Sequence, residues 1–175
     1  NIGYQCGGWS IWWQGGSGKI TKGTSILDGI KSHTGKNINL NYSKSGDVDK
    51  NTDLIIVAIG EKPYAEMNGD RESLDLSKDD IELVNKLSKS GKPIVMVLIS
   101  GRPMILEPIL DKCDAILAAW LLGSEGAGIS DILFGDYSPT AKLSFSWPKN
   151  MKQLPINFGD TNYDPLYRFG HGLTF

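Results

Sequence analysis

Apolar positions along this chain follow two rhythms. Residues 53–59 (DLIIVAI), 93–99 (PIVMVLI) and 114–119 (DAILAA) are continuous apolar runs of strand length, the pattern of strands covered on both faces. Between the first two, Ile81, Val84 and Leu87 recur at helical spacing behind Ser77, with Asp80 three residues on and Gly91 beyond the last turn. That is a capped helix with a glycine stop. Ile26, Leu27 and Ile30 form a similar face in a helix over 24–33, started by Thr24 and ended by Gly35. A short helix is expected near 106–112, after the break at Gly101-Arg102-Pro103, and another over 125–134 before Gly135. Two weaker segments, 38–42 and 143–145, read as short strands. Residues 1–23, rich in glycine and tryptophan, read as a loop, and the tail from Trp147 as irregular.

Strands that alternate with helices specify an α/β domain: a parallel sheet with helices on both faces, joined by right-handed crossovers. With 175 residues, the chain is expected to form one domain, 1–175. In open sheets of this kind ligands bind beyond the carboxyl ends of the strands. The loops leaving those ends, 60–76, 100–103 and 120–128, carry Glu61, Tyr64, Glu66, Asp70, Arg71, Arg102, Trp120 and Glu125. The expected site is therefore an acidic and aromatic rim.

Composition narrows the function. With 18 basic against 20 acidic residues the formal net charge is -2, which offers nothing to attract nucleic acid or an anionic membrane surface. No apolar run reaches the length of a membrane span. Cys6 and Cys113 belong to no CxxC or Cys/His cluster and read as two small thiols. His33 and His171 stand at no metal-ligand spacing, so no metal and no cofactor are expected. Ser124 is not in a GxSxG elbow, and the 123–128 segment has neither GxGxxG spacing nor a Walker lysine. Carboxylates beside aromatics suit sugars, whose C–H faces pack on rings while their hydroxyls bond to acids and arginine. Hydrolysis of a glycosidic bond needs two carboxyl groups. Spacing alone leaves Glu61, Glu66 and Glu125 open for one of them, beside the reading that all three are solvated loop acids. Glu125 also suits the start of a helix, where a carboxylate is favoured. Trp12 and Trp13 are expected to be packed.

Several stretches resemble glycoside hydrolase family 3, in its β-glucan exohydrolase subgroup. They are 3–9 (GYQCGGW), 24–28 (TSILD), 57–66 (VAIGEKPYAE), 98–103 (LISGRP), 119–126 (AWLLGSEG), 133–136 (LFGD), 153–155 (QLP) and 167–173 (YRFGHGL). They run in order from end to end. The resemblance implies a three-layer α/β sandwich, flavodoxin-like, with a mostly parallel six-stranded sheet. It implies a retaining β-glucosidase or exo-β-glucanase whose nucleophilic Asp lies on an N-terminal (β/α)8 barrel preceding Asn1. On that resemblance Glu66, in 64–70 (YAEMNGD), is the general acid/base and Trp9 stacks on the sugar of the leaving-group side. Tyr64, Asp70, Arg102 and Glu125 are supporting residues. The implied partners are a β-glucan or β-glucoside oligosaccharide and the barrel. An isolated copy is expected to be inactive and to self-associate through the exposed apolar face, and the whole enzyme to work outside the cell or in its envelope. The competing functions are a non-catalytic carbohydrate-binding module, a flavodoxin-like cofactor binder using the 123–128 loop, and a structural domain.

Overall fold

The computed structural model describes residues 1–36 and 38–175. Its centre is a sheet of three parallel strands, β1 (Ile55–Gly60), β2 (Ile94–Ile99) and β3 (Ala115–Ala118), in the order β1-β2-β3. The register pairs Ile55 with Ile94 and Gly60 with Ile99, then Val95 with Ala115 and Leu98 with Ala118. All three come from the apolar runs. β2, paired on both edges, is the most buried, with Met96, Val97 and Leu98 fully inside.

Strand alternation divides the core in two. Ile55, Val57, Ile59, Ile94, Met96 and Leu98 face one way and pack with Val84 and Leu87 of helix α3 (Lys78–Ser88) and with Met104, Leu106 and Ile109. Val97 and Ile99 face the other way, onto Ile26 and Ile30 of α2 (Ile26–Thr34) and Ile129 of α4 (Ala127–Leu133). Helices thus cover both faces of the sheet, as the apolar runs require. Helix α3 starts as the sequence indicates: the Ser77 hydroxyl accepts from the Asp80 amide at 3.1 Å and donates to the Asp80 carboxylate at 2.8 Å. Among the described residues no helix is long and apolar enough to cross a membrane.

Four expectations need correction. First, the described residues form three strands, not six. Second, segments 38–42 and 143–145 do not form strands. In the first, Ile38 and Tyr42 are exposed and only Leu40 reaches the core, so one anchor holds the segment and no edge binds it. The second is held by the tail: the Leu143 amide donates to the His171 carbonyl, and the Gly170 amide donates back to the Leu143 carbonyl. Third, the N-terminal 23 residues are not all loop. Ile2–Cys6 forms a short helix, α1, capped by Asn1 and buried through Ile2, Gln5 and Cys6. Fourth, the helix expected near 106–112 is only a 3-10 turn, Leu110–Lys112.

Candidate active-site rim

Gln5 of α1, 1 % exposed, ties three segments together. Its amide nitrogen donates to the Thr24 carbonyl at 3.2 Å and the Gly123 carbonyl at 3.1 Å, and its oxygen accepts from the Ile26 amide at 3.1 Å. The start of the chain is thereby held to the start of α2 and to the loop after β3.

The turn that follows is pressed onto the loop after β1. Gly8 lies so close that a Cβ there would collide with the Tyr64 carbonyl oxygen, and a Cβ on Gly15 would sit 2.7 Å from Pro63. Only glycine tolerates that approach. Gln14 completes the junction: its side-chain nitrogen donates to the Ala65 carbonyl at 3.1 Å and its oxygen accepts from the Ala65 amide at 3.0 Å. Both hydrogen-bonding groups of the residue before Glu66 are therefore satisfied by one side chain from the N-terminal segment.

In the same loop lies Glu61, with 7 % of its side-chain surface exposed. One carboxylate oxygen accepts from Arg102 Nε at 2.9 Å and Arg71 Nη1 at 3.4 Å, and the other from the Tyr64 hydroxyl at 3.1 Å and the Gly101 amide at 3.2 Å. Arg102 also donates to the Gly69 carbonyl at 2.8 Å and lies 4.3 Å from the centre of the Tyr64 ring. Burial, with the Glu61 charge adding to it, raises the Tyr64 hydroxyl above its ordinary value, so it stays a donor. Four donors saturate a carboxylate. Glu61 binds the loop after β1 to the loop after β2, with both of its oxygens taken by protein donors. Its partners Tyr64 and Arg102, expected near the site, serve this anchor.

Glu66 differs in every respect. It is exposed, opens the 3-10 turn Glu66–Gly69, and its backbone is left-handed, with φ 49°. Trp9 is 64 % exposed and also left-handed, with φ 65°. Among the described residues only one other non-glycine shares this region, Trp120, with φ 55°. For residues of this bulk the conformation is costly and persists only when surroundings impose it. Here the surroundings are the Gly8–Tyr64 contact and the Gln14 clamp, which hold the loops of Trp9 and Glu66 against one another.

Asp70 follows the turn and is exposed, its amide donating to the Met67 carbonyl. Glu125 stands apart from this group. It is exposed, accepts from the Ser124 hydroxyl at 2.9 Å, and lies beside Thr24 at the N-terminal ends of α2 and α4. Trp120 turns into an aromatic cluster, edge-on to Phe145 and tilted against Trp147 with centroids 5.5 and 5.9 Å away, and lines a cavity of about 310 Å³ with Gly101 and Phe145. Trp12 and Trp13, expected to be packed, are about half exposed, at 48 % and 47 %. The buried positions of their segment are taken by α1, and with Trp9, Ile11 and Leu121 they leave apolar surface uncovered. Sequence reading missed Gln5 and Gln14. A neutral amide in a glycine-rich stretch gives no sign of the carbonyl it will meet far along the chain.

The model of the glycosyl hydrolase family 3 C-terminal domain matches residues 1–175. Among curated proteins, a beta-xylosidase of Formosa agariphila is 33% identical over 86% of this chain and 25% of its own length. A lysosomal beta glucosidase of Dictyostelium discoideum is 32% identical over 97% of this chain and 24% of its own. The chain thus spans about a quarter of each relative. Among solved structures, the exo-1,3/1,4-beta-glucanase ExoP of a Pseudoalteromonas species superposes with a TM-score of 0.92 and 41% identity, covering 99% of this chain and 23% of that one.

Proposed function

The chain belongs to glycosyl hydrolase family 3, as its C-terminal domain, and from that premise we propose that it supplies the general acid/base, Glu66, and a sugar-stacking ring, Trp9, to a retaining β-glucosidase or exo-β-glucanase. The rest of the site, with the nucleophilic Asp, belongs to an N-terminal barrel outside these residues. The observation that carries the proposal is the pairing of two exposed, left-handed residues, Trp9 and Glu66, on loops locked to one another by Gly8 and Gln14. Strain maintained at exposed side chains favours a functional role over a structural one.

In this mechanism the barrel Asp attacks the anomeric carbon while Glu66 delivers its proton to the departing oxygen. The covalent glycosyl–enzyme is then opened by water, and Glu66 takes the proton back. Retention requires the two carboxyl groups to stand about 5–5.5 Å apart. Trp9 presents an apolar face to the leaving sugar, which is compatible with more than one linkage. The uncovered surface around Trp9, Trp12, Trp13 and Leu121 receives the barrel, and without it the chain is inactive and self-associates. Polymeric glucan as substrate puts the complete enzyme outside the cell or in its envelope.

The test joins the domain to its barrel and changes Glu66→Gln. Turnover of a natural disaccharide, whose leaving group needs protonation, should fall by about 10²–10⁴, and turnover of an activated aryl glucoside far less. Equal losses on both substrates would remove Glu66 from the role.

A further inference from the structure

Helices α2 and α4 run side by side in the same direction. Gly126 donates its amide to the Thr24 carbonyl at their N-terminal ends, and a Cβ on Gly29 would sit 2.9 Å from Cα of Ala127. Their C-terminal ends therefore emerge together, and the negative ends of the two helix dipoles there favour a cation. Three ligand-type side chains gather at that place: His33 in the last turn of α2, Asp131 in the last turn of α4, and Asp136 just beyond it. Their ligand atoms all lie within 4.8 Å of one another.

We propose that His33, Asp131 and Asp136 form a binding site for a divalent cation of the zinc class, remote from the rim and joining α2 to α4. Three further observations support it. The His33 Nδ1 to Asp136 Oδ2 separation is 3.4 Å. It equals the edge of a tetrahedron whose metal–ligand bonds are about 2.0–2.1 Å, roughly 3.4 Å. The His33 ring is held by stacking on Phe134, with centroids 4.2 Å apart and planes 12° from parallel, so the position of its Nδ1 is set before any ion arrives. The chain also folds back to bring Asp136 to the site: Gly135 is left-handed at φ 82° and the Tyr137 amide returns to the Asp131 carbonyl at 3.0 Å. One imidazole with two carboxylates suits zinc, cobalt or nickel better than calcium or magnesium, which take oxygen donors alone. Three protein ligands leave the fourth position to water. Sequence spacing hides the set, because His33 stands about a hundred residues from its partners.

Titration of the metal-stripped 175-residue protein with zinc, followed by calorimetry, tests the site, with cobalt absorption as the reporter of geometry. One ion per chain, tetrahedral cobalt bands, and a melting temperature raised by roughly 5–10 °C at hundredfold excess over Kd are expected. His33→Phe keeps a ring on Phe134 while removing the ligand. It should bind zinc at least about tenfold more weakly, as should Asp136→Asn, with both variants keeping the metal-free melting temperature. Zinc binding of unchanged affinity and stoichiometry in His33→Phe, or no stoichiometric binding by the parent protein, would overturn the assignment.

Discussion

Glu61 and Glu66 stand five residues apart in the same loop, and their substitution should have opposite consequences for stability. Glu61→Ala removes a carboxylate that takes four hydrogen bonds and leaves Tyr64, Arg102, Arg71 and the Gly101 amide without it. Breaking a fully buried ion pair costs about 3–5 kcal/mol. Arg102 keeps 23 % and Arg71 35 % exposure, so water recovers part of that cost. About 2–4 kcal/mol is expected, a melting temperature lower by roughly 5–12 °C for a chain of this size. Glu66 is exposed and left-handed. Glu66→Ala should change stability by about 0.5 kcal/mol or less. Glu66→Gly should be neutral to about 1 kcal/mol more stable, since the strain of a side chain there is relieved while a flexible residue enters the unfolded chain. Urea denaturation of the three variants and the parent gives the comparison. The separation of a structural from a functional glutamate fails if Glu61→Ala is no less stable than Glu66→Ala, or if Glu66→Gly loses more than Glu61→Ala.

Gln5→Leu keeps the volume of a buried side chain but abandons Thr24, Gly123 and the Ile26 amide. It should cost about 2–4 kcal/mol, measured by the same denaturation. Gly8→Ala forces the N-terminal turn away from the Tyr64 carbonyl; hydrogen exchange of the Ala65 amide, which Gln14 holds, should accelerate by at least about tenfold, where unchanged protection would contradict the contact. Ser25, and not Thr24, caps α2: its hydroxyl accepts from the Asp28 amide at 3.2 Å and donates to the Asp28 carboxylate at 2.7 Å, and it is first among several contacts that hold that carboxyl below its ordinary value of about 3.9. A lowered folded value means stability present above that pH and lost as pH falls below it. Ser25→Ala should therefore cost about 1 kcal/mol near neutrality and flatten the acid limb of the stability curve, read from melting temperatures across the acid range.

The elements legible in the sequence are those whose partners lie next to them or on every side. β1 and β2 declare themselves because both faces are apolar, and α3 because its cap and its apolar face are local. The rule for parallel sheets finds the rim loops, and the Glu61–Arg102 meeting follows from β1 and β2 being neighbours. Sequence does not separate Glu61 from Glu66. Both are loop acids, and only the packing of Arg102 and the Gly101 amide shows that one of them is saturated. The helix at Ile2–Cys6 is hidden by its short length and by Gly3, which accommodates the chain near Gly16 and Gly18. The 38–42 alternation misleads because alternation records a potential face and not a neighbouring edge to pair with.

The central claim is that Glu66 handles the proton of the leaving group and of the incoming water. It is tested most directly in the barrel-joined enzyme carrying Glu66→Gly, assayed on an activated aryl β-glucoside with and without azide, an anion that attacks without giving up a proton. Azide should restore turnover and yield the β-glucosyl azide. Absence of any acceleration, with hydrolysis of the natural disaccharide near the parent rate, would contradict the account.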